Sequence, residues 1–263
     1  MHLIVRVLVV VAVALPCVAQ VCVPAPYGIV SWYPAEGNTT DVVSGNNGSL
    51  LGGGYGPGAV RQAFHFSGQQ SDGVNLGNVP AFDFTGASSF SIEAWVKVDA
   101  LTVATGNDGQ VIVSLNYRCN LPSPDTVATE TLAIQVGTWK AFFHVRDAGG
   151  NEAVVLTPNA IPSGKWIHLV GVRDASCLAV RLYLNGALVG SATDPTSGRL
   201  WNTGPDFIGR RWPCATNNPF NGSIDEVSIY SRALTDCEVA ALYNAGCAGK
   251  CRLGACPSSA CGC

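Results

Sequence analysis

The chain has 263 residues, a formal net charge of −3 and a charged fraction of only 13%. This length is enough for one large domain with a full hydrophobic core, or for two small ones. The slight charge and the lack of any run of Lys and Arg argue against a nucleic-acid-binding protein, because such proteins neutralise phosphates with basic residues.

Residues 1–19 have the features of a secretory signal peptide. An apolar run from Leu8 to Leu15 leads to small residues that end at Ala19, and the run is shorter than the roughly 20 residues that span a bilayer. A lipidated Cys17 is the alternative, but Pro16 stands where lipoprotein signals carry a small residue. We therefore expect a secreted or cell-surface protein, without membrane insertion after cleavage.

Removal of the signal peptide leaves 10 of the 11 cysteines. An even number in an exported chain indicates disulfides. A soft-metal site in the tail is the alternative, disfavoured because CxxC pairs are absent. We predict that all of the following form disulfides: Cys22, Cys119, Cys177, Cys214, Cys237, Cys247, Cys251, Cys256, Cys261 and Cys263.

The first half of the mature chain alternates between loops and strands. Residues 22–58 are rich in Gly, Asn and Pro, which predicts loop with one strand at 29–33. From 62 to 98 apolar residues recur with period two, as in the half-buried strands of a sandwich. Residues 102–131 are predicted to be a long loop around one strand at 111–115, and such loops often carry binding residues.

Strands resume in the second half, each bounded by Gly, Pro or Asn. A closing strand follows the Asn221-Gly222 turn, and Thr235 with Glu238 forms a capping box for a short helix that ends at Gly246. Beyond it lies a tail, 247–263, that only crosslinks or a metal could order. The other predicted strands are 131–136, 141–146, 153–156, 166–172 and 179–184.

The segment Phe220–Leu234, with Asp225-Glu226 inside the strand, resembles the closing motif of laminin-G-like jelly-roll domains of the concanavalin A-like lectin/glucanase superfamily. This resemblance implies an all-β fold: a two-sheet antiparallel β-sandwich (jelly roll) over residues 20–246, with one short C-terminal helix and a cysteine-rich tail. Further blocks similar to that family are 64–68, 74–76, 90–97, 164–172, 180–186 and 207–209, with a lead-in over 22–53 like that of secreted bacterial members.

The two ends of a jelly roll lie on neighbouring strands. The resemblance therefore predicts a bridge from Cys22 to Cys251 or Cys247. Because such a bridge closes nearly the full chain, the loop-entropy model gives it on the order of 4 to 5 kcal/mol.

The superfamily includes lectins, adhesion modules and glycosidases, so the fold does not identify the ligand. We predict a secreted, non-catalytic module that binds carbohydrate or an extracellular protein. Trp201 and Trp212 are the predicted ligand contacts, because both lie in loops, where an aromatic face can stack on a sugar ring. A surface protein crosslinked by intermolecular disulfides is a further alternative.

Structural calcium is also predicted, because several domains of the superfamily bind it near the closing strand. Its expected ligands are Asp225, Asp41 and Asn47, with Asp72 as a further candidate. Calcium takes six to eight oxygens, which loops of Gly, Asn and Asp can supply. The alternative is that Asp225 accepts N–H groups from the Gly68 loop.

Glu93 and Glu226 are the candidates for the alternative function, polysaccharide cleavage, which needs two carboxylates across a groove. Glycanases of the superfamily carry closely alternating acids on one strand, and no ExDxE or ExDxxE run occurs here. Otherwise we expect both to bond to neighbouring backbone, or to Lys97 and Arg232.

The histidines of the mature chain lie in strand-like runs. None has the spacing of a zinc site or of a hydrolase triad. We predict that they pack in or on the sheets: His65, His144 and His168.

Overall fold

The computed structural model describes residues 21–99, 109–117, 128–201, 204–211 and 219–252, which contain 15 strands and one α-helix. The helix is α1, Asp236–Asn244, and short 3₁₀ turns cover Pro80–Phe82 and Gly246–Ala248. The strands are β1 Ile29–Tyr33, β2 Ser49–Gly52, β3 Gly54–Pro57, β4 Gln62–Ser67, β5 Gly73–Gly77, β6 Phe90–Val98, β7 Gln110–Leu115, β8 Thr129–Ile134, β9 Ala141–Arg146, β10 Glu152–Leu156, β11 Trp166–Asp174, β12 Ala179–Leu184, β13 Ala187–Thr193, β14 Asp206–Ile208 and β15 Asn221–Tyr230.

The strands form two antiparallel sheets packed face to face. The eight-stranded sheet has the order β13-β12-β11-β6-β15-β4-β3, and β1 also pairs with β15. The seven-stranded sheet has the order β10-β9-β8-β7-β14-β5-β2. The predicted two-sheet antiparallel β-sandwich with one C-terminal helix is confirmed.

The core lies between the sheets and follows the period-two pattern of the sequence. In β6, Ile92, Ala94 and Val96 all belong to the main cluster of buried apolar side chains. In β4, Phe64 and Phe66 are fully buried, with ring centroids 6.1 Å apart. The predicted period-two pattern holds for the inward face of both strands, but β6 is not half-buried, because Glu93 and Trp95 on its other face are buried as well.

Helix α1 covers part of the outer face of the eight-stranded sheet. Val239 and Leu242 of the helix pack against Val170 and Val172 of β11. The predicted capping box begins the helix: the Thr235 hydroxyl accepts the N–H of Glu238, whose carboxylate accepts the N–H of Thr235. This face is therefore a second apolar layer, not a solvated surface.

Two short strands, β2 and β3, lie in a segment that the sequence predicted to be loop. Gly53 joins them at φ +87°, and a Cβ there would lie 2.6 Å from the Phe66 ring. Only glycine adopts this conformation freely and fits beside the ring. Glycine in such a segment therefore serves strand packing as well as turns.

The chain ends are joined by the Cys22–Cys251 disulfide, which spans 229 residues with a Cα–Cα distance of 4.9 Å. This was one of the two predicted pairings. Beside it, Val23 and Lys250 form an isolated parallel bridge, and the N–H of Cys251 donates to Val23 O at 2.7 Å. Cys247 is also in a disulfide.

The prediction that every cysteine of the mature chain is bridged is wrong for two of them. Cys177, in the turn between β11 and β12, and Cys237, in the first turn of α1, are exposed free thiols. An even number of cysteines indicates disulfides but does not assign each sulfur a partner. Outside the described residues lie the signal peptide, most of the tail, and Cys119, Cys214, Cys256, Cys261 and Cys263.

Within the described ranges, no helix is long and apolar enough to cross a membrane.

Candidate functional site

A groove crosses the outer face of the seven-stranded sheet over β7, β8 and β9. Its cavity volume is about 170 Å³, below the roughly 300–1,000 Å³ of sites for drug-sized ligands, so it suits one small unit of a ligand. Its lining residues are Val111, Tyr117, Thr129, Thr131, Phe142, His144, Arg146 and Arg211.

The sheet register brings the polar lining residues together. Thr129 pairs with Arg146 and Thr131 pairs with His144 across β8 and β9. Side chains directly opposite each other, and those two residues apart, lie on the same face of a sheet. Two hydroxyls, an imidazole and a guanidinium therefore form one polar row.

The apolar part of the groove is a small cluster on the outer face. Phe142 packs with Val111 and Ala133 and remains 9% exposed. At one side the guanidinium of Arg211 lies 4.6 Å from the centroid of the Tyr117 ring, a cation–π contact. The groove thus combines an apolar floor with an aromatic and cationic wall.

The side chains of the polar row contact one another and the Glu152 carboxylate. The hydroxyls of Thr129 and Thr131 are 2.8 Å apart. His144 Nε2 lies 3.3 Å from Glu152 Oε2, and Arg146 Nε lies 3.9 Å from the same oxygen. That distance is too long for a hydrogen bond, and Arg146 Nε is a buried atom without one.

Of the two predicted ligand contacts, Trp201 is half-buried, with the Arg199 guanidinium 5.0 Å from its ring centroid, and it does not line the groove. Trp212 lies outside the described residues. The groove residues were not predicted from the sequence. The available signal was the alternation of polar residues in the predicted strand 141–146, with His144 and Arg146, whereas Thr129 lay in the segment predicted to be a loop and β8 begins two residues before the predicted strand 131–136.

The two candidate catalytic glutamates do meet, but around a lysine. Lys250 Nζ lies 3.1 Å from Glu93 Oε1 and 3.1 Å from Glu226 Oε2. The side chains of all three are at most 2% exposed. Tyr230 donates to Glu93 Oε2 at 2.6 Å, and Trp32 Nε1 donates to Glu226 Oε2 at 3.0 Å.

The predicted partners Lys97 and Arg232 are wrong for these glutamates. Lys97 Nζ is 3.8 Å from Asp99, and Arg232 forms an ion pair with Glu238. These pairs were predicted because the residues are close in the sequence. The contact with Lys250 joins residues that are far apart in the sequence, so local spacing does not predict it. The actual partner comes from the segment fixed by the terminal disulfide.

Burial and Lys250 set the protonation of this buried cluster. Burial alone would raise the pKa of Glu93, but the Lys250 ammonium and the contacts with His168 and Tyr230 hold it at about 2. Burial raises the pKa of Glu226 in spite of the lysine. Burial would lower the pKa of Lys250, yet the two carboxylates raise it. The lysine is therefore a charged, enclosed partner of both glutamates.

The predicted calcium ligands do not share a site. Asp41 Oδ1 accepts the N–H groups of Trp32 at 2.9 Å and Val43 at 3.0 Å, and Asn47 Oδ1 accepts the N–H of Asp41. Asp72 Oδ2 instead accepts the N–H and hydroxyl of Ser67. Asp41 and Asp72 therefore order two separate loops, because their carboxylate oxygens accept backbone N–H groups.

Asp225 has a similar role in a third place. Its oxygens accept the N–H of Val60 at 2.9 Å and that of Glu226 at 2.7 Å, not those of the Gly68 loop. Burial, and then the Glu226 carboxylate, raise its pKa to about 8. Both oxygens of Asp225 thus accept backbone N–H groups, and no group of three or more His, Cys, Asp or Glu side chains that could hold a metal occurs in the part of the chain that the structure describes.

Comparison with known proteins gives one family and several structural neighbours. A family model described as the concanavalin A-like lectin/glucanases superfamily matches residues 67–240. No curated protein sequence matches the chain.

The solved structures share the fold at low sequence identity. The binding domain of Paraclostridial Mosquitocidal Protein 1 has a TM-score of 0.62 and 16% identity, with 82% of this chain and 52% of that chain covered. The binding domain of botulinum neurotoxin serotype G has a TM-score of 0.61 and 15% identity, with coverage of 82% and 50%. This chain thus spans about half the length of those toxin domains.

A third neighbour is similar in size. It is domain 4 of AbnA, a GH43 extracellular arabinanase from Geobacillus stearothermophilus, solved in complex with arabinotriose. Its TM-score is 0.59 at 22% identity, with 81% of this chain and 96% of that chain covered.

Proposed function

Because this chain belongs to the concanavalin A-like lectin/glucanases superfamily, we propose that it is a secreted or cell-surface, non-catalytic module that binds a saccharide in the groove of the seven-stranded sheet. The single observation that carries the proposal is the groove itself, where an aromatic ring, an apolar floor and a row of polar side chains converge. Saccharides present both apolar ring faces and hydroxyl groups, and sites that bind such ligands combine the two surfaces.

The neighbours support a binding role. Two are named as binding domains of toxins, and the third is a domain of an arabinanase in complex with arabinotriose. A binding role at the cell exterior is consistent with the predicted signal peptide and with the Cys22–Cys251 disulfide, which oxidising compartments favour.

The buried glutamates favour binding over hydrolysis. A glycosidase acid must reach the glycosidic oxygen and its partner must face the sugar. Glu93 and Glu226 are both nearly inaccessible, and each forms an ion pair with the buried Lys250. Their contacts support a structural role.

The test is retention of the mature, oxidised protein on a panel of immobilised polysaccharides, with Tyr117→Ala as the groove variant. We expect at least one polysaccharide to retain the protein, and the variant to bind about 10-fold more weakly, as for loss of one stacking contact. Tyr27→Ala is the matched control, because Tyr27 is 87% exposed and also lies beside an arginine, Arg232. Retention that is equal for the wild type and both variants would contradict the groove as the site.

A chelator arm tests the calcium prediction in the same experiment. Since Asp41, Asp72 and Asp225 already accept N–H groups, we propose that binding does not need calcium. Loss of retention in chelator would contradict this.

A crosslinked surface protein is the second candidate function, favoured by the exposed thiols of Cys177 and Cys237. In an oxidising exterior such thiols can form intermolecular disulfides. Oligomers on a non-reducing gel that disappear in the Cys177→Ser and Cys237→Ser double variant would support this function. Monomers in both proteins would exclude it.

A further inference from the structure

We propose that the saccharide of this groove is acidic, with a carboxylate or sulfate group that is bound by Arg146 and Arg211. The inference rests on the proposed function, because it names the chemical class of the ligand in the same groove. It assigns the two arginines a role in specificity, while the aromatic and hydroxyl groups bind the sugar ring.

The first observation is the sign of the charge. The lining contains two arginines and a histidine, and none of the lining residues that the structure describes is Asp or Glu. The protein as a whole has a net charge of −3. The Glu152 carboxylate, 3.3 Å from His144, offsets one of these charges, and the remaining positive charge attracts anionic ligands and disfavours their cationic counterparts.

The second observation is the unsatisfied donor of Arg146. Its Nε is buried and makes no hydrogen bond, and the Glu152 carboxylate is 3.9 Å away. That carboxylate lies closer to His144, at 3.3 Å, and is 54% exposed. A buried donor without an acceptor costs free energy, and an anionic oxygen of a ligand would supply the missing acceptor.

The third observation is the orientation of Arg211. Its guanidinium lies against the Tyr117 ring, 4.6 Å from the centroid. A guanidinium donates its hydrogen bonds in its own plane, so a cation–π contact with a ring is compatible with hydrogen bonds to an anion. Arginine donates two parallel N–H groups to carboxylates and similar oxyanions, so this arrangement suits an acidic group at the wall of the groove.

The experiment compares three probes by isothermal titration calorimetry with the mature, oxidised protein: oligogalacturonate, the same oligomer after carboxyl reduction, and a sulfated galactose oligomer. We expect at least one acidic probe to bind about 10-fold or more tightly than the uncharged one, with a preference that falls as salt is added. The two acidic probes distinguish carboxylate from sulfate.

The variants test the arginines separately. Arg146→Gln and Arg211→Gln should each weaken acidic-probe binding by about 10- to 100-fold, and should weaken uncharged-probe binding by a clearly smaller factor. Arg146→Lys should recover part of the salt-dependent preference but not the full affinity, since lysine lacks the planar fork. Lys165→Gln is the control: it removes one exposed positive charge before β11 of the other sheet.

The outcomes separate this inference from the proposed function. Equal affinity for the reduced and acidic oligomers, or unchanged acidic binding in both arginine variants, overturns the acidic ligand and leaves a neutral-sugar module. No binding to any of the probes or polysaccharides overturns both. Circular dichroism of each variant confirms its fold, and Arg211→Gln carries the test if Arg146→Gln unfolds.

Discussion

Lys250 Nζ lies 3.1 Å from Glu93 Oε1 although the two residues are 157 positions apart in the sequence. The same ammonium is 3.1 Å from Glu226 Oε2 and lies 5.3 Å from the centroid of the Trp32 ring. The C-terminal segment therefore supplies the counter-charge for two carboxylates on the eight-stranded sheet. The positive φ of Glu226, 55°, at the register shift of β15 is part of this arrangement.

Lys250→Met should destabilise the protein by about 3 to 5 kcal/mol, because it leaves buried carboxylates without their cation. Urea unfolding measures the effect. Adding Glu93→Gln should recover part of the loss, since one of the uncompensated charges is then removed. Lys165→Met, at an exposed position, should change stability by at most about 0.5 kcal/mol. Equal unfolding midpoints for the two lysine variants would contradict the structural role of Lys250.

The Cys22–Cys251 disulfide should stabilise the fold by about 5 kcal/mol in the loop-entropy model, since it closes 229 residues. The double variant Cys22→Ser, Cys251→Ser tests this bridge alone, whereas a reductant would also open the bridge of Cys247.

The bridge and Lys250 should also be coupled. Both hold the same segment, so combining the cysteine variant with Lys250→Met should cost less than the sum of the separate effects. Strict additivity in urea unfolding would show that the lysine stays in place without the disulfide.

The strands that the sequence predicted best are those with clear alternation. The bounds Ala141–Arg146 and Ala179–Leu184 were correct, because a strand with one face in the core shows period two directly. The helix was found from Thr235 and Glu238, whose capping geometry is local. β2 and β3 were missed because glycine-rich strands have few side chains to carry the pattern.

The candidate site was harder to predict for two physical reasons. His144 and Arg146 alternate with buried residues in β9, and in a sequence this pattern is indistinguishable from that of an ordinary strand with one face toward solvent. The partnership of Lys250 with Glu93 depends on tertiary packing that no spacing encodes. By contrast, the resemblance to a known family correctly gave the neighbouring chain ends and hence a bridge from Cys22 to Cys251 or Cys247, of which the structure has Cys251.

Gly53→Ala should destabilise the protein by more than about 1 kcal/mol, the typical cost of placing alanine at a glycine position with positive φ. The new Cβ would lie 2.6 Å from the Phe66 ring, in addition to the cost of φ +87°. Gly45→Ala is a matched control, because Gly45 has φ +73° but nothing within 4 Å of its Cβ position. Thermal unfolding of both variants separates the packing effect from the backbone effect, and equal losses would exclude the close contact.

Stability should fall as the pH rises from about 5 to above 8. Burial raises the pKa of Asp206 to about 7, and burial together with Glu226 raises that of Asp225 to about 8. The folded protein therefore holds protons on these two carboxyl groups that the unfolded chain releases near pH 4. Their contribution to stability is complete below about pH 4 and is lost as the pH rises through their pKa values in the folded state. The low pKa of Glu93 has the opposite effect on the pH dependence of stability, but this effect is confined to pH values below about 4.5.

Urea unfolding at intervals of pH measures this slope, with each pKa unit equivalent to about 1.4 kcal/mol. Asp206→Asn should flatten the slope between pH 5 and 7, because the amide does not titrate. The Asp206 carboxyl group accepts the N–H groups of Val79 and Asn116, and the amide nitrogen of the variant would face one of these donors. This contact lowers stability at every pH, so the measured quantity is the slope of stability against pH. The exposed Asp99→Asn is the control and should leave the slope unchanged. A wild-type protein whose stability does not fall over this pH range would show that these carboxyl groups hold no extra protons in the folded state.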